Sequence, residues 1–232
     1  MSKKEQVRLM FNSIASKYDL LNHILSFGID YYWRKNVIKH LSDERINEVL
    51  DIATGTADLA IMAAKKYPKL KIVGIDIAQQ MIDIGKCKVE KNNLTNRITL
   101  QLSDAENIPY DDNKFDAAMV AFGVRNFEIL SKGLSEIYRV LNYNGILIIL
   151  EFSKPKYYGF SMIYSFYFNK ILPFIGRLIS KNNTAYKYLP ESVMTFPDYD
   201  DFIRCLRNTG FVNCSYQPLT LGIATIYLAF KK

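Results

Sequence analysis

Apolar runs typical of β-strands alternate with helical stretches between residues 46 and 152, and this alternation limits the fold more than any other feature of the sequence. The strand-like runs are residues 46–53, 71–76, 97–104, 115–122 and 145–152, and the helical stretches are residues 57–66, 78–92 and 130–140. Strands that alternate with helices form a parallel sheet covered on both faces. Two later runs, residues 211–219 and 223–230, predict a terminal hairpin. We therefore expect an α/β fold with a doubly wound, mostly parallel, seven-stranded sheet.

Two regions fall outside the alternation. Residues 1–43 predict an N-terminal helical cap, and residues 155–197 predict a helical insert after the fifth strand. The insert leaves the carboxyl edge of the sheet, where open α/β folds bind ligands. Its apolar surface either packs on the core or forms a lid over that edge. At 232 residues the chain has the length of one domain, so we expect residues 1–232 to fold as a single unit.

The net charge of the chain bears on its binding partners, and its cysteines bear on its cellular compartment. The formal net charge of +7 favours nucleic acid, anionic lipid or acidic small molecules, or else reflects a lysine-rich solvated surface. Three scattered cysteines without a C-x-x-C pair fit a reducing cytoplasm, and the sequence offers no metal-ligand set. The amino end lacks the apolar core of a signal peptide, and no run of about 18 apolar residues predicts a membrane span. We therefore expect a cytoplasmic protein without a metal.

The loop after the first strand, in LDIATGTADLA (residues 50–60), has the position of a nucleotide-binding loop without its composition. A dinucleotide loop needs several glycines so that backbone N–H groups can approach a pyrophosphate, whereas this loop has only Gly55. Asp51, at the strand end, would also repel a phosphate. The loop suits a ligand with a cationic end and no phosphate, such as S-adenosylmethionine. We therefore predict that Asp51 and Gly55 bind this cofactor.

Two later strand ends carry carboxylates in the order that such a site needs. Asp76 ends the second strand about 20 residues after Gly55, where a carboxylate can accept hydrogen bonds from ribose hydroxyls. Its alternative role is to cap the next helix. Asp104 and Ala105 follow the third strand, where the carboxylate could accept a hydrogen bond from the adenine amino group or simply shape a turn.

Six segments along nearly the whole chain resemble the quinone-biosynthesis C-methyltransferases, the family of demethylmenaquinone methyltransferase and its ubiquinone-pathway counterpart. They are VRLMFNSIASKYDLLNHILSFGID, LDIATGTADLA, DAENIPYDDNKFDAAMVAFGVRNF, LSEIYRVL, ILEFSKP and YLPESVMTFPD. The combination of FGVRNF, EFSKP and YLPES is more specific than the cofactor motifs, which many methyltransferases share. The chain departs from the family at Ala57, where glycine is usual, and at residues 142–145, where Lys-Pro-Gly-Gly is usual.

The resemblance implies a Rossmann-like class I methyltransferase fold and an S-adenosylmethionine-dependent enzyme that methylates a ring carbon of a prenylated hydroquinone. It places cofactor contacts on Thr56, Asp76 and the Asp104–Ala105 pair. It also gives Arg125 a part in proton removal through a water. Conversion of demethylmenaquinol to menaquinol in menaquinone biosynthesis is the reaction we expect, with the ubiquinone-pathway benzoquinol left open.

Methylation of a ring carbon needs a proton acceptor and a group that stabilises phenolate charge. Arg125 and Asn126, in FGVRN at the end of the fourth strand, would point towards the substrate. Arginine, with a pKa above about 12, is a poor base. We therefore expect Arg125 to stabilise a phenolate or a hydroxide-like water, unless it is an ordinary ion-pair partner.

Other candidate side chains come from the predicted N-terminal cap. Tyr18 and Asp19 could close over the cofactor, or could serve helix capping and packing. His23, among apolar neighbours, is better suited to helix packing than to catalysis, and His40 is expected at the surface.

The prenyl tail and the basic flanks of the insert predict further contacts. A lid formed by the insert could line a tunnel for the tail, and its flanking Lys154, Lys156, Lys170, Arg177 and Lys181 could face anionic lipid at the inner face of the membrane. Two alternatives stay open: an O- or N-methyltransferase for another small molecule, and a nucleic-acid-binding protein or RNA methyltransferase. Against the second, the chain lacks N-P-P-Y after strand four, paired catalytic cysteines and a dense basic tract, so we expect no nucleic-acid partner. The sequence makes no prediction of oligomeric state.

Overall fold

A seven-stranded sheet lies at the centre of the computed structural model, which describes residues 1–26, 28–156 and 183–232. The strands are β1 (Glu48–Ile52), β2 (Lys71–Asp76), β3 (Ile98–Leu102), β4 (Phe115–Ala121), β5 (Leu141–Phe152), β6 (Val212–Leu219) and β7 (Ala224–Phe230). Their order in the sheet is β3-β2-β1-β4-β5-β7-β6, with β1 to β5 parallel and β7 antiparallel to both its neighbours. The predicted fold class, a mostly parallel sheet ending in a hairpin, is confirmed.

Helices cover both faces of the sheet. The helices in the described ranges are α1 (Lys3–Leu25), α2 (Ile29–Lys39), α3 (Asp58–Lys66), α4 (Gln79–Lys91), α5 (Leu130–Val140), α6 (Asn183–Thr195) and α7 (Asp200–Thr209). One core joins the sheet to α2, α3 and α4, and a second core joins it to α5 and α7. Helix α7 buries one stripe, formed by Phe202, Ile203 and Leu206. Because both faces are covered, the central strands are continuous apolar runs.

The strand order reverses between β1 and β4, and this reversal creates a crevice at the carboxyl edge of the sheet. From β1 the chain passes to β2 on one side, and from β4 it passes to β5 on the other side, so the loops after β1 and β4 diverge. Helices α1 and α2 occupy the predicted cap region, and α1 contacts α2, α4 and α6. The side chain of Asn12 in α1 accepts a hydrogen bond from the backbone N–H of Gln80 at 3.0 Å, which fixes α1 to the first turn of α4.

The beginning of β5 differs from the sequence prediction. The sequence predicts a strand that starts at residue 145, but β5 starts at Leu141, directly after α5. Leu141 pairs with Phe115, and an irregularity follows before the regular register resumes at Ile146. Asn144 adopts a left-handed conformation with φ of 61°, which asparagine tolerates better than most residues. The extra residues therefore form a bulge within the strand.

The predicted insert is described only in part. Residues 157–182 lie outside the described residues, and with them most of the predicted tunnel and three of its five basic flanking residues. Within the described part of the chain, no helix combines the length and the apolar character needed to cross a bilayer.

Candidate active site

A cavity lies at the carboxyl edge, between the loops that follow β1 to β4 and the inner side of α1. The space between its walls, counted together with the solvent that is open to it, is about 650 Å³. Its lining includes Ala53 and Gly55 after β1, Asp76 and Ile77 around the end of β2, residues 103–106 after β3, Phe122, Gly123 and residues 126–128 after β4, and Lys4, Val7, Phe11 and Tyr18 from α1. The cavity thus brings together six of the predicted site residues: Gly55, Asp76, Asp104, Ala105, Tyr18 and Asn126.

Glycine is required at two positions in these loops. Gly55 has a φ of +56°, in the left-handed region that disfavours a side chain. Gly123 is needed for close approach, since a Cβ there would lie 2.5 Å from the Cβ of Ala53. The loops after β1 and β4 can therefore meet only because residue 123 lacks a side chain. Gly123 belongs to the FGVRN segment but was not among the residues predicted from the sequence.

Asp76 lies between the first loop and the beginning of α4. One carboxylate oxygen accepts a hydrogen bond from the N–H of Gly55 and the other from the N–H of Ala78, both at 2.9 Å. Burial raises the pKa of Asp76, and the backbone hydrogen bonds oppose that rise. Each carboxylate oxygen can accept a second hydrogen bond. The N-cap of α4 is Ala78 and it has no side-chain cap hydrogen bond, so the alternative that Asp76 caps this helix is wrong. Asp76 instead shapes the turn that precedes α4 and retains acceptor capacity at the cavity wall.

Asp104 and Glu106 form a second acidic group after β3. The ammonium of Lys4 lies 2.6 Å from Asp104 Oδ2 and 3.3 Å from Glu106 Oε2, which joins the first turn of α1 to this loop. The hydrogen bond to Asp104 raises the pKa of Lys4. Glu106 is buried and also accepts a hydrogen bond from the N–H of Glu128 at 2.7 Å. Neither Lys4 nor Glu106 was found from the sequence, although Glu106 directly follows the predicted Asp104–Ala105 pair.

Thr56 is a buried residue of the first loop and does not line the cavity. Its hydroxyl donates to Asp19 Oδ1 at 2.5 Å. Lys88 of α4 lies 2.8 Å from Asp19 Oδ2 and also contacts Asp58. These contacts tie α1 to the loop and to α4, so Thr56 and Asp19 hold the wall together. Tyr18, the neighbour of Asp19, lines the cavity itself, and burial raises its pKa.

Asp51 lies behind the cavity wall and is not part of its lining. Its side chain is 1% exposed and accepts a hydrogen bond from the Thr54 hydroxyl at 2.6 Å. Burial, with a smaller contribution from the charge of Asp76, raises the pKa of Asp51 to about 7, against the Thr54 hydrogen bond. Asp51 is the last residue but one of β1, which ends at Ile52, and its side chain is directed into the interior. The expected direct contact between Asp51 and a ligand is therefore not present in this geometry.

Arg125 and Asn126 are adjacent in a short 3₁₀ turn after β4, but only Asn126 lines the cavity. The Arg125 side chain is 7% exposed, and its Nη1 lies 2.6 Å from Oε1 of the fully buried Glu151. The same nitrogen donates to the carbonyl of Phe122, and the guanidinium lies over the Phe152 ring at 5.4 Å. The structure therefore matches the ion-pair alternative for Arg125, and not the expectation that it points into the pocket.

Glu151 was not identified from the sequence. The available signal was a single charged residue near the end of an otherwise apolar strand, in ILIILEF. Among the described residues, the Nε of Arg125 is the one buried side-chain nitrogen or oxygen without a hydrogen-bond partner. A buried donor of this kind is costly to leave unpaired.

The two histidines lie away from the cavity lining. His23 Nδ1 is 3.0 Å from Asp30 Oδ2, and Asp30 also pairs with the buried Arg34. Burial lowers the pKa of His40, at the end of α2. Within the described ranges, no cluster of three or more histidine, cysteine or acidic residues could hold a metal ion.

Comparison with known proteins identifies the chain's relatives. A model of the ubiE/COQ5 methyltransferase family matches residues 1–231. The ubiquinone/menaquinone biosynthesis C-methyltransferase UbiE of Geotalea daltonii is 45% identical over 99% of this chain and 97% of the relative. The demethylmenaquinone methyltransferase of Bacteroides fragilis is 42% identical over 99% of this chain and 94% of the relative.

Solved structures extend the likeness to the fold. A SAM-dependent methyltransferase from Thermotoga maritima gives a TM-score of 0.69 at 18% identity and covers 97% of this chain and 99% of its own. Phosphoethanolamine N-methyltransferase 2 of Haemonchus contortus, in complex with S-adenosyl-L-methionine, gives a TM-score of 0.65 at 15% identity over 85% of this chain and 52% of its own. At these identities the structures show a common class I methyltransferase fold alone. Taken with the full-length family match, the strand order and the cavity at the switch point, they lead to one assignment: the chain belongs to the ubiE/COQ5 methyltransferase family.

Proposed function

We propose that this protein is an S-adenosylmethionine-dependent C-methyltransferase that converts demethylmenaquinol to menaquinol in quinone biosynthesis. The observation that carries the proposal is the near full-length likeness, at 42–46% identity, to relatives named for this chemistry. The family match predicted from FGVRNF, EFSKP and YLPES is confirmed.

The residues around the cavity fit the cofactor. Asp76 has acceptor capacity for the ribose hydroxyls, and Asp104 with Ala105 would meet the adenine edge. The loop at Gly55 gives backbone access without the several glycines that a pyrophosphate needs. S-adenosylmethionine supplies a methyl group on a sulfonium, which is a good leaving group. The protein's task is then to align the ring carbon and to manage charge and protons.

Two side chains are proposed to act at the ring. Asn126 and Tyr18 lie on the cavity wall and can reach a ligand there. Burial raises the pKa of Tyr18, which keeps its hydroxyl protonated and able to donate to a phenolate oxygen. Arg125 lies behind the wall, where its charge is paired with Glu151. Asp51 and Thr56 support the cofactor loop.

The prenyl tail and the membrane belong to the same proposal. The insert would cover the tail, and its basic flanks would face anionic lipid. Of these flanking residues, Lys154 lies 3.4 Å from Asp198 and Lys156 lies over the Tyr199 ring at 4.1 Å. Contact with lipid would therefore compete with internal partners at both positions. Co-sedimentation with anionic vesicles, compared with neutral vesicles at the same salt concentration, tests this part separately.

Methyl transfer with a labelled cofactor tests the proposal. Purified protein is incubated with S-adenosylmethionine carrying a labelled methyl group and with reduced demethylmenaquinone, with a demethylated benzoquinol in parallel. Label on the ring carbon of the naphthoquinol is the expected result, and the oxidised quinone is the control, since only the hydroquinone can form a phenolate. Label recovered on oxygen, or no transfer to either quinol, would contradict it.

A further inference from the structure

A tyrosine outside the cavity lining holds one of the residues on its wall. Tyr188 lies in α6, and its hydroxyl donates to Asn126 Oδ1 at 3.0 Å, across 62 positions of sequence. No residue of the YLPES segment was assigned a role from the sequence. From this geometry we infer that Tyr188 is a positioning residue for methyl transfer, which orients the Asn126 amide so that one of its N–H groups is available to an oxygen of the bound quinol. The inference rests on the proposed function.

The orientation of the Asn126 amide is set at both ends. Its Nδ2 donates to the backbone carbonyl of Phe122 at 3.4 Å, and a carbonyl can only accept, so the nitrogen must face Phe122. The amide oxygen then faces Tyr188, whose hydroxyl supplies the donor it needs. An amide nitrogen has two N–H groups, and Phe122 uses one of them. The second remains for a ligand in the cavity that Asn126 lines.

The surroundings of Tyr188 suit this role. The ring is half-buried against an apolar cluster that joins α1 to α6 and includes Met10, Ile14 and Val193. Burial raises the pKa of the Tyr188 phenol, so its hydroxyl stays protonated and remains a donor at neutral pH. The side chain is thus held by packing on one side and directed to Asn126 on the other.

The neighbouring cation cannot take over the same task. Arg125 is engaged by Glu151 and by the Phe122 carbonyl, and it does not line the cavity. When a ring hydroxyl loses its proton, the negative charge on the oxygen is stabilised by a donor held in place before the reaction. Asn126 is the amide on this part of the wall, and Tyr188 acts through it.

A double-mutant cycle tests the inference. Tyr188→Phe removes only the hydroxyl, and loss of one neutral hydrogen bond should lower kcat with demethylmenaquinol by about 3- to 10-fold, with cofactor Kd close to the parent value. Asn126→Ala should lower kcat further, and adding Tyr188→Phe to it should have no additional effect. Asn126→Asp keeps the acceptor for Tyr188 but removes the N–H donors, so it should also lower kcat.

Tyr110→Phe is the matched control, since the Tyr110 hydroxyl makes a similar 2.9 Å bond to Gln101 outside the cavity lining. It should leave kcat unchanged, and thermal melting of each variant separates effects on folding from effects on turnover. The inference would be overturned if Tyr188→Phe left kcat at the parent value. It would also be overturned if Tyr188→Phe lowered kcat by the same factor in the Asn126→Ala variant as in the parent. Either outcome would leave the proposed function intact. A parent enzyme that methylates no quinol would overturn both.

Discussion

Replacing Asp51 by asparagine should change how the stability of this fold depends on pH. Asp51 is 1% exposed in the middle of the sheet, and its pKa in the folded protein is about 7 against an ordinary value of 3.8. Between these two values the folded chain binds a proton that the unfolded chain has lost. The stability that the protonated Asp51 side chain contributes is therefore fully present below its unfolded pKa of 3.8, and it falls as the pH rises towards the folded pKa of about 7.

The size of the effect follows from the two pKa values. Each unit of pKa difference is worth about 1.36 kcal/mol, so ionising Asp51 costs the folded state about 4 kcal/mol in all. Between about pH 5 and about pH 8 the parent protein should lose about 3 kcal/mol of this stability. Asparagine can still accept the Thr54 hydrogen bond but cannot ionise. The variant should therefore gain about 3 kcal/mol on the parent over the same range.

Urea unfolding at a series of pH values measures this difference. The chain has one tryptophan, Trp33, which is buried, so its fluorescence reports the loss of the core. Asp43→Asn is the control. Asp43 is partly exposed, and hydrogen bonds from Arg45 hold its pKa at about 2, so it stays charged throughout the range in both states. If parent and Asp51→Asn differ by the same free energy at every pH, Asp51 does not carry a proton in the folded protein and the reasoning is refuted.

Three further predictions concern the site. Asp76→Ala should weaken S-adenosylmethionine binding by about 1.5–3 kcal/mol, since charge-assisted hydrogen bonds to the ribose are lost; unchanged affinity in calorimetric titration would contradict its assignment. Arg125→Ala should reduce the free energy of unfolding by about 3–5 kcal/mol because it leaves the buried Glu151 side chain without its cationic partner, and combining it with Glu151→Gln should restore part of that loss in urea titrations. kcat/KM should rise from a tail-less quinol to one with a few prenyl units, since tail burial contributes about 0.8 kcal/mol per CH₂. Equal kcat/KM values with and without the tail would contradict the proposed tunnel.

The sequence was sufficient for the fold because the informative features were long apolar runs and their order. It was less informative about which strand-end residues face the cavity. Asp76 ends β2 and lines the site, whereas Asp51 is the last residue but one of β1 and faces the interior. Successive side chains of a strand point to opposite sides, so a shift of one residue changes the outcome. A strand end located to within a few residues cannot settle such a choice.

The same limit applies to neighbours in a tight turn. Arg125 and Asn126 were predicted together, yet one pairs with buried Glu151 and the other lines the cavity. Lys4 and Tyr188 were missed because their partners are 100 and 62 positions away in sequence. No periodicity or local motif records contacts over such distances, so these residues could be found only once the chain was folded.

The helix α1 forms one wall of the cavity and is fixed at three places along its length. Lys4 contacts Asp104 and Glu106, Asn12 accepts from the first turn of α4, and Asp19 contacts Thr56 and Lys88. We expect exchange of the spent cofactor for a fresh one to involve separation of this helix from the loops, which would break several polar contacts at once. We expect departure of the demethylated cofactor to be slow relative to the chemical step. Progress curves should therefore begin with a burst equal to one methyl group per protein molecule before the slower steady rate.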